Sequence, residues 1–326
     1  MRQWHRSLVC TAVLALSCGT AQAQDPAAAY PLKPVLLVVP IAAGGPIDQE
    51  ARLYAKMTGL FGQPIIVDNK PGAGTTIGTA FVARAAPDGY TLLTNSAGHT
   101  TAPALYKELP FDVLKDFAPI TLMSEKPYAL ITHPGFGAKT AADYLAYARG
   151  NPGKLNYGTS GGGGITHIVG AWLHGTTSTK VTFVHYKGAG PSLVDLMAGR
   201  LDVTSVALVG VWPQIKSGKL RVLGVTGAKR PPLLPDLPTI GEQGVTGFHY
   251  TPWQGVLAPA ATPATIQAKL NGIFSRIAKA PEVAGPLETA GNVMVGSSAA
   301  HFREVIAAEV PRWRKVVAEN GIELVE

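Results

Sequence analysis

Residues Leu36–Phe61, LLVVPIAAGGPIDQEARLYAKMTGLF, carry the reading on which the rest of the chain depends. The apolar run Val35–Val39, stopped at Pro40, has the length of a buried strand rather than a helix. Five small or bare positions follow, Ile41-Ala42-Ala43-Gly44-Gly45. Pro46 then suits the first position of a helix, because its missing N–H would be unpaired there in any case. Leu53, Tyr54, Met57, Leu60 and Phe61 fall on one face at helical spacing, and Gly62 and Pro64 stop the helix. A strand, a bare turn and a helix start form a cradle for an anion: free N–H groups point outward where the macrodipole places about half a positive charge. Neither GxxxxGK[ST] nor GxGxxG occurs at this turn, so a carboxylate fits it better than a phosphate. The structural alternative is an ordinary strand-to-helix turn with no guest.

The same design recurs along the chain. Pro64–Asp68 reads as a strand, Asn69–Gly74 as a turn, Thr75–Ala85 as a small-residue helix and Tyr90–Thr94 as a third strand. Strand and helix in alternation predict a parallel α/β sheet, with any ligand beyond the carboxyl ends of its strands. Three turns would then surround one crevice: Ile41–Gly45, Asn69–Thr76 and Asn95–Thr101. Phe117–Met123 and Tyr128–Thr132 read as strands across which the chain passes into a second lobe. There, Leu155–Gly158 leads into a glycine turn, Thr159–Gly164, and a helix capped by Thr166 with an apolar face of Ile168, Val169, Trp172 and Leu173. Strands are expected at Val181–Tyr186, Leu201–Leu208 and Leu220–Thr226. Trp253–Ala258 returns the chain to the first lobe, and helices follow at 263–277, 282–290 and 299–319. The division is 30–125 with 253–326 for the first lobe and 126–252 for the second. Two linking strands make a hinge.

The first residues, MRQWHRSLVCTAVLALSCGTAQA, have the form of a secretory signal: Arg2 and Arg6, a short apolar core from Leu8 to Leu16, and Ala21-Gln22-Ala23 for cleavage after Ala23. Cleavage would leave 303 of the 326 residues in the periplasm, without either cysteine, since Cys10 and Cys18 both lie in the signal. Cys18 as a lipid-anchor site is the alternative, but Ala15-Leu16-Ser17 before it matches poorly. The net charge of +7 becomes +5 when the two signal arginines leave, and the bases are scattered. That pattern excludes nucleic acid as a partner and suits mild steering of an anionic solute. No His, Cys or acidic spacing marks a metal site, and no cofactor motif is present.

Further residues carry a family resemblance. These are Tyr30-Pro31-Leu32-Lys33-Pro34, the Pro40–Gly45 turn with Asp48, Asp68–Gly74, Ala83–Leu92, Leu105-Tyr106-Lys107, Lys115–Pro119, Leu155-Asn156-Tyr157, His167, Tyr186-Lys187-Gly188, Gly218–Arg221 and Leu234–Thr239. In this order the chain resembles the Bug, or TctC-like, periplasmic solute-binding proteins. The resemblance implies an α/β, two-lobed type II periplasmic binding-protein fold, two hinge-linked Rossmann-like lobes closing over one small carboxylate. It implies no metal and no catalysis, a monomer, and delivery of the solute to membrane transporter subunits or a signalling sensor. The ligand-facing residues are then expected to be Ile41, Ala42, Ala43, Gly44 and Gly45; Thr75, Thr76, Ser96 and His99; Thr159, Ser160, Gly163, Gly164, Thr166 and His167; and Tyr186, Leu208 and Trp253. The four glycines of the two turns are the prime candidates, since only bare backbone approaches so closely. The alternatives are structural: Asp48 as a cap of free amides, His167 as a brace of its turn, Trp253 as core.

The chain departs from the family pattern at Ile41, where an aromatic residue is usual, at Gly164 in place of a hydroxyl residue, and at His185 in place of Pro. Ser205–Trp212 is also less polar than usual. These departures point to a carboxylate on an aromatic or longer aliphatic body. A competing class is a serine hydrolase, since Gly158–Gly162 matches G-x-S-x-G, with Asp202 or Asp236 and His249 or His301 in suitable chain order. Against it, the glycines run on to Gly164 and no oxyanion segment precedes Ser160. A sensor-only module feeding a signalling partner is the third class.

Overall fold

The computed structural model describes residues 27–231 and 234–324; the expected signal, with its cleavage site and both cysteines, lies outside them. The chain forms β1 (Val35–Val39), α1 (Pro46–Ala55), α2 (Thr58–Phe61), β2 (Ile65–Asn69), α3 (Thr76–Ala83), β3 (Thr91–Ser96), α4 (Gly98–Leu105) and β4 (Phe117–Glu125). It continues through β5 (Tyr128–Thr132), α5 (Ala141–Gly150), β6 (Asn156–Thr159), α6 (Ile165–Thr176), β7 (Thr182–His185), α7 (Ala189–Met197), β8 (Val203–Ala207), α8 (Trp212–Lys216) and β9 (Arg221–Val225). It returns through β10 (Trp253–Pro259), α9 (Ala264–Lys279), α10 (Pro281–Thr289), β11 (Val293–Met294) and α11 (Ala299–Glu319).

Two sheets result, ordered β11-β4-β10-β3-β1-β2 and β7-β6-β8-β5-β9. β1 pairs in parallel with β2 and β3, and β6 with β7 and β8, as the strand–helix alternation predicts. The sheets are nevertheless mixed rather than parallel. β10 runs antiparallel to both β3 and β4, and β5 antiparallel to both β8 and β9. The strands involved are those that carry the chain between lobes. β4 leaves the first lobe and β10 re-enters it, so two such strands lying side by side must run in opposite directions. The Lys126 N–H donates to the Pro252 carbonyl at 2.7 Å where they cross.

Burial follows pattern. Val35, Leu37, Val38 and Val39 are fully buried, as expected of a strand with helices on both faces. The helix expected to run unbroken from Pro46 to Phe61 instead divides at Met57, whose backbone leaves the helical region (φ −87°, ψ 36°). The division turns Phe61 inward, edge-on to Phe274 at 5.8 Å. The expected turn Asn95–Thr101 is shorter than read: β3 continues to Ser96 and α4 begins at Gly98. The final helix joins both lobes. Phe302, Ile306 and Val310 pack with β4 and β10 residues, whereas Trp313, Val316 and Val317 pack with Tyr157, Ile168 and Val203 of the second sheet's core.

Candidate functional site

Two turns of the same geometry face one cavity. In the first, Gly44 is left-handed (φ 83°), Gly45 is extended (φ −72°, ψ 166°) and α1 begins. In the second, Gly163 is left-handed (φ 69°), Gly164 is extended (φ −68°, ψ 165°) and α6 begins. Only glycine holds the left-handed position without strain. The third residue of each helix then reaches back. Asp48 Oδ2 accepts the Gly44 N–H at 2.7 Å, and His167 Nδ1 accepts the Gly163 N–H at 3.1 Å. The shared pattern is Gly-Gly-x-x-acceptor, Gly44–Asp48 and Gly163–His167.

Each brace is tied down further. Asp48 is 1% exposed and also accepts from Arg52 Nε at 2.9 Å and Asn69 Nδ2 at 2.9 Å. Burial alone would raise its pKa; the bonds from Arg52, Gly44 and Asn69 outweigh burial and hold it below the usual carboxylate range. His167 stands edge-on to Phe183 and His185, with centroids 4.7 and 4.6 Å away. Burial, with His185 nearby, lowers its pKa to about 4. The ring is therefore neutral at pH 7, as its acceptor role at Nδ1 demands.

This bracing corrects the expectation that the turn glycines offer their own amides. Gly44 donates to Asp48, Gly45 to Ala42 O, Gly163 to His167 and Gly164 to Gly161 O. At these two turns, the amides without a protein acceptor are instead Ile41, Ala42, Ala43, Ile47 and Asp48 at the first and Gly162, Ile165 and Thr166 at the second. First-turn helical amides have no partner inside the helix, and the glycines shape the loop that leaves them open.

The cavity holds about 840 Å³. Ile41 enters it from the turn before α1 and Ile47 from α1 itself, Ser96, Ala97, Gly98, Thr101, Leu105 and Tyr106 from the end of β3 through α4, and Gly162–Ile165 from the glycine turn and the start of α6. Lys126, Pro127, Pro252 and Trp253 line it where the lobes join. The N-termini of α1, α4 and α6 thus converge on one mostly apolar space, and each contributes positive potential there. Leu105 and Gly163 approach across the cleft: a Cβ on Gly163 would lie 3.4 Å from Leu105 Cδ2.

Of the expected ligand-facing residues, Ile41, Ser96, Gly163, Gly164 and Trp253 line the cavity. Trp253 does so with little of its surface, since it is 1% exposed and its Nε1 donates to Glu309. Ala42, Ala43, Gly44 and Gly45, expected at the ligand, are not among the residues that line the cavity; their turn reaches it through Ile41 and Ile47 on either side. Thr75 and Thr76 do not reach the lining; the Thr76 hydroxyl caps Ala73 O, and Gly74 takes the place at the wall. Thr159, Ser160 and Thr166 hold the second turn from beneath. The Thr159 hydroxyl meets His185 Nδ1 at 2.7 Å, and Thr166 Oγ1 accepts the Ser160 N–H at 2.8 Å and meets Ser160 Oγ at 2.9 Å.

Three expected positions point elsewhere. His99 sits in the first turn of α4 with its ring in the core, 5.0 Å from Phe117, because the strand before it runs longer than read. Burial takes its pKa to about 4. Leu208 is buried in the second lobe, and its neighbours Ala207 and Gly210 line the cavity instead. The Tyr186 hydroxyl donates to Asp195 at 2.7 Å. The hydrolase arrangement is absent too. Ser160 bonds Thr166 rather than a histidine, while His249 and His301 line a separate cavity with Glu125 and Arg312. Lys126 and Glu50 were missed, since nothing local marks either as part of a site. Leu105 and Tyr106 carried the resemblance but no assigned role.

Comparison with known proteins matches the family and the fold. The family described as the tripartite tricarboxylate transporter family receptor, TctC, matches residues 51–322. A UPF0065 protein from the TAR-I ttuE–ttuC' intergenic region of Agrobacterium vitis is 38% identical over 305 residues, 92% of this chain and 87% of that protein. The solved structure of the periplasmic binding protein BugD has a TM-score of 0.72 and 34% identity, over 91% of this chain and 100% of that one. R. palustris Rpa4515 with adipate gives 0.74 and 34%, with the same coverage.

Proposed function

The chain belongs to the TctC family of tripartite tricarboxylate transporter receptors, periplasmic binding proteins rather than enzymes, and from that premise we propose that it captures a small carboxylate between its lobes and delivers it to the transporter's membrane subunits. The observation that carries this reading is the convergence of three helix N-termini, with unpaired amides at two matched turns, on one cavity. Backbone donors and helix ends hold a carboxylate without a metal or a paired base. Delivery presupposes export, for which residues 1–23 are the proposed signal, cleaved after Ala23.

The walls between those donors are mostly hydrocarbon: Ile41, Ile47, Ala102, Leu105, Ile165 and Leu287. They support an acid with an aromatic or longer aliphatic body, and the related Rpa4515 holds adipate. Thermal-shift measurements on the chain lacking residues 1–23, against adipate, benzoate, phthalate and citrate, test the reading. A ligand bound only by the folded state at a hundred times its Kd adds about 2.7 kcal/mol. The expected result is a clear rise with one of the first three acids. No rise with any carboxylate overturns the function, and a preference for citrate over all three overturns the apolar-body assignment.

A further inference from the structure

One ion pair stands at the wall of the cavity. Glu50, on α1, is 1% exposed, and both its oxygens are engaged. Oε1 accepts the hydroxyls of Tyr54 and Ser124, and Oε2 lies 2.9 Å from Lys126 Nζ. Oε2 is buried, so it is not offered to a guest. Lys126 occupies the segment between β4 and β5, and its ammonium also donates to Gln254 Oε1 at 2.9 Å. An ammonium carries three protons. One is donated to Gln254, and Glu50 Oε2 stands beside the ammonium as an ion pair without hydrogen-bond geometry; no further acceptor for the ammonium occurs among the described residues. The Lys126 side chain retains 16% exposure, borders the cavity, and is the single lysine or arginine along it among the described residues.

Glu50 lies against the ammonium and Gln254 fixes its direction, so a proton that neither takes is a placed donor. The same pairing offsets most of the charge, which disfavours trapping of bare inorganic anions. We propose that Lys126 is the specificity-determining donor for a second oxygen-bearing group on the ligand. Acids that carry an acceptor at both ends are then selected over acids of the same skeleton that end in hydrocarbon. The inference rests on the carboxylate-binding reading above and adds the residue that discriminates within it.

Titration calorimetry with the matched pairs adipate and hexanoate, phthalate and benzoate tests it. The chain lacking residues 1–23 should favour the diacid of the pair it binds by about tenfold, the scale of one hydrogen bond to a charged group. Lys126→Met should bring the two acids within about twofold of each other. Because that variant leaves Glu50 buried without its cation, the double variant Glu50→Gln/Lys126→Met, which keeps acceptors for Tyr54 and Ser124, should show the same levelling. Equal binding of the matched acids by the unaltered chain overturns this inference alone, as does a diacid preference that survives in the folded double variant. Binding of no carboxylate overturns the function proposed above, and this inference with it.

Discussion

Asp48 and His167 do the same task with different chemistry, and their difference sets their response to pH. Asp48 accepts as an anion and His167 as a neutral ring. Replacing Asp48 with Ala removes the acceptor of Gly44, Arg52 and Asn69 together. We expect a loss of about 1–3 kcal/mol in urea unfolding, with weaker ligand binding because the first turn loses its shape. Three buried histidines add to the loss of stability in acid. Burial lowers His99, His167 and His174 to about 4, against an ordinary 6.5. Below pH 6.5 the unfolded chain takes up protons that the folded chain refuses until about pH 4, so stability falls as pH drops through that window. The melting temperature should therefore decline from pH 7 to pH 4.5. His99, whose ring nitrogens make no good hydrogen bond, contributes without a compensating role. His99→Leu should melt no lower at pH 7 and show a shallower decline; an unchanged slope would contradict the assignment.

At the scale of elements, α11 carries more than its sequence pattern suggests. Its periodicity announces an amphipathic helix but not that the apolar face serves two cores in succession. Trp313 stands edge-on to Trp172 at 5.7 Å and to Tyr250 at 5.0 Å, and so ties the last helix to the second sheet. Trp313→Ala should cost about 3–5 kcal/mol, the range for a buried large side chain. If α11 couples the lobes, the unaltered chain should unfold with coincident transitions in far-UV circular dichroism and tryptophan fluorescence, and Trp313→Ala should separate them. Coincident transitions in that variant would mean that the coupling lies elsewhere.

For the molecule as a whole, the crossing strands and the last helix together set how the cleft works. Three passages of chain join the lobes: Lys126–Pro127, Thr251–Pro252 and α11. Leu105 lies close to Gly163, so that even a Cβ there would stand at ordinary contact distance. The fold class, the order of nearly every element and the two glycine turns were legible in the sequence, because strand runs, helical spacing, capping residues and glycine clusters are local properties of the chain. Much of the site was not. The Asp48 bracing was open to reading as a cap because its acceptor lies four residues from its donor. The Lys126–Glu50 pair was invisible because its members are brought together only when the end of β4 reaches Glu50, where Ser124 also bonds it. Sequence alone determined two α/β lobes with a matched glycine turn in each, since backbone preference is set within a few residues. Tertiary structure decided which amides stay unpaired, which way the linking strands run and which charge faces the cavity, because each depends on what a distant segment supplies or withholds.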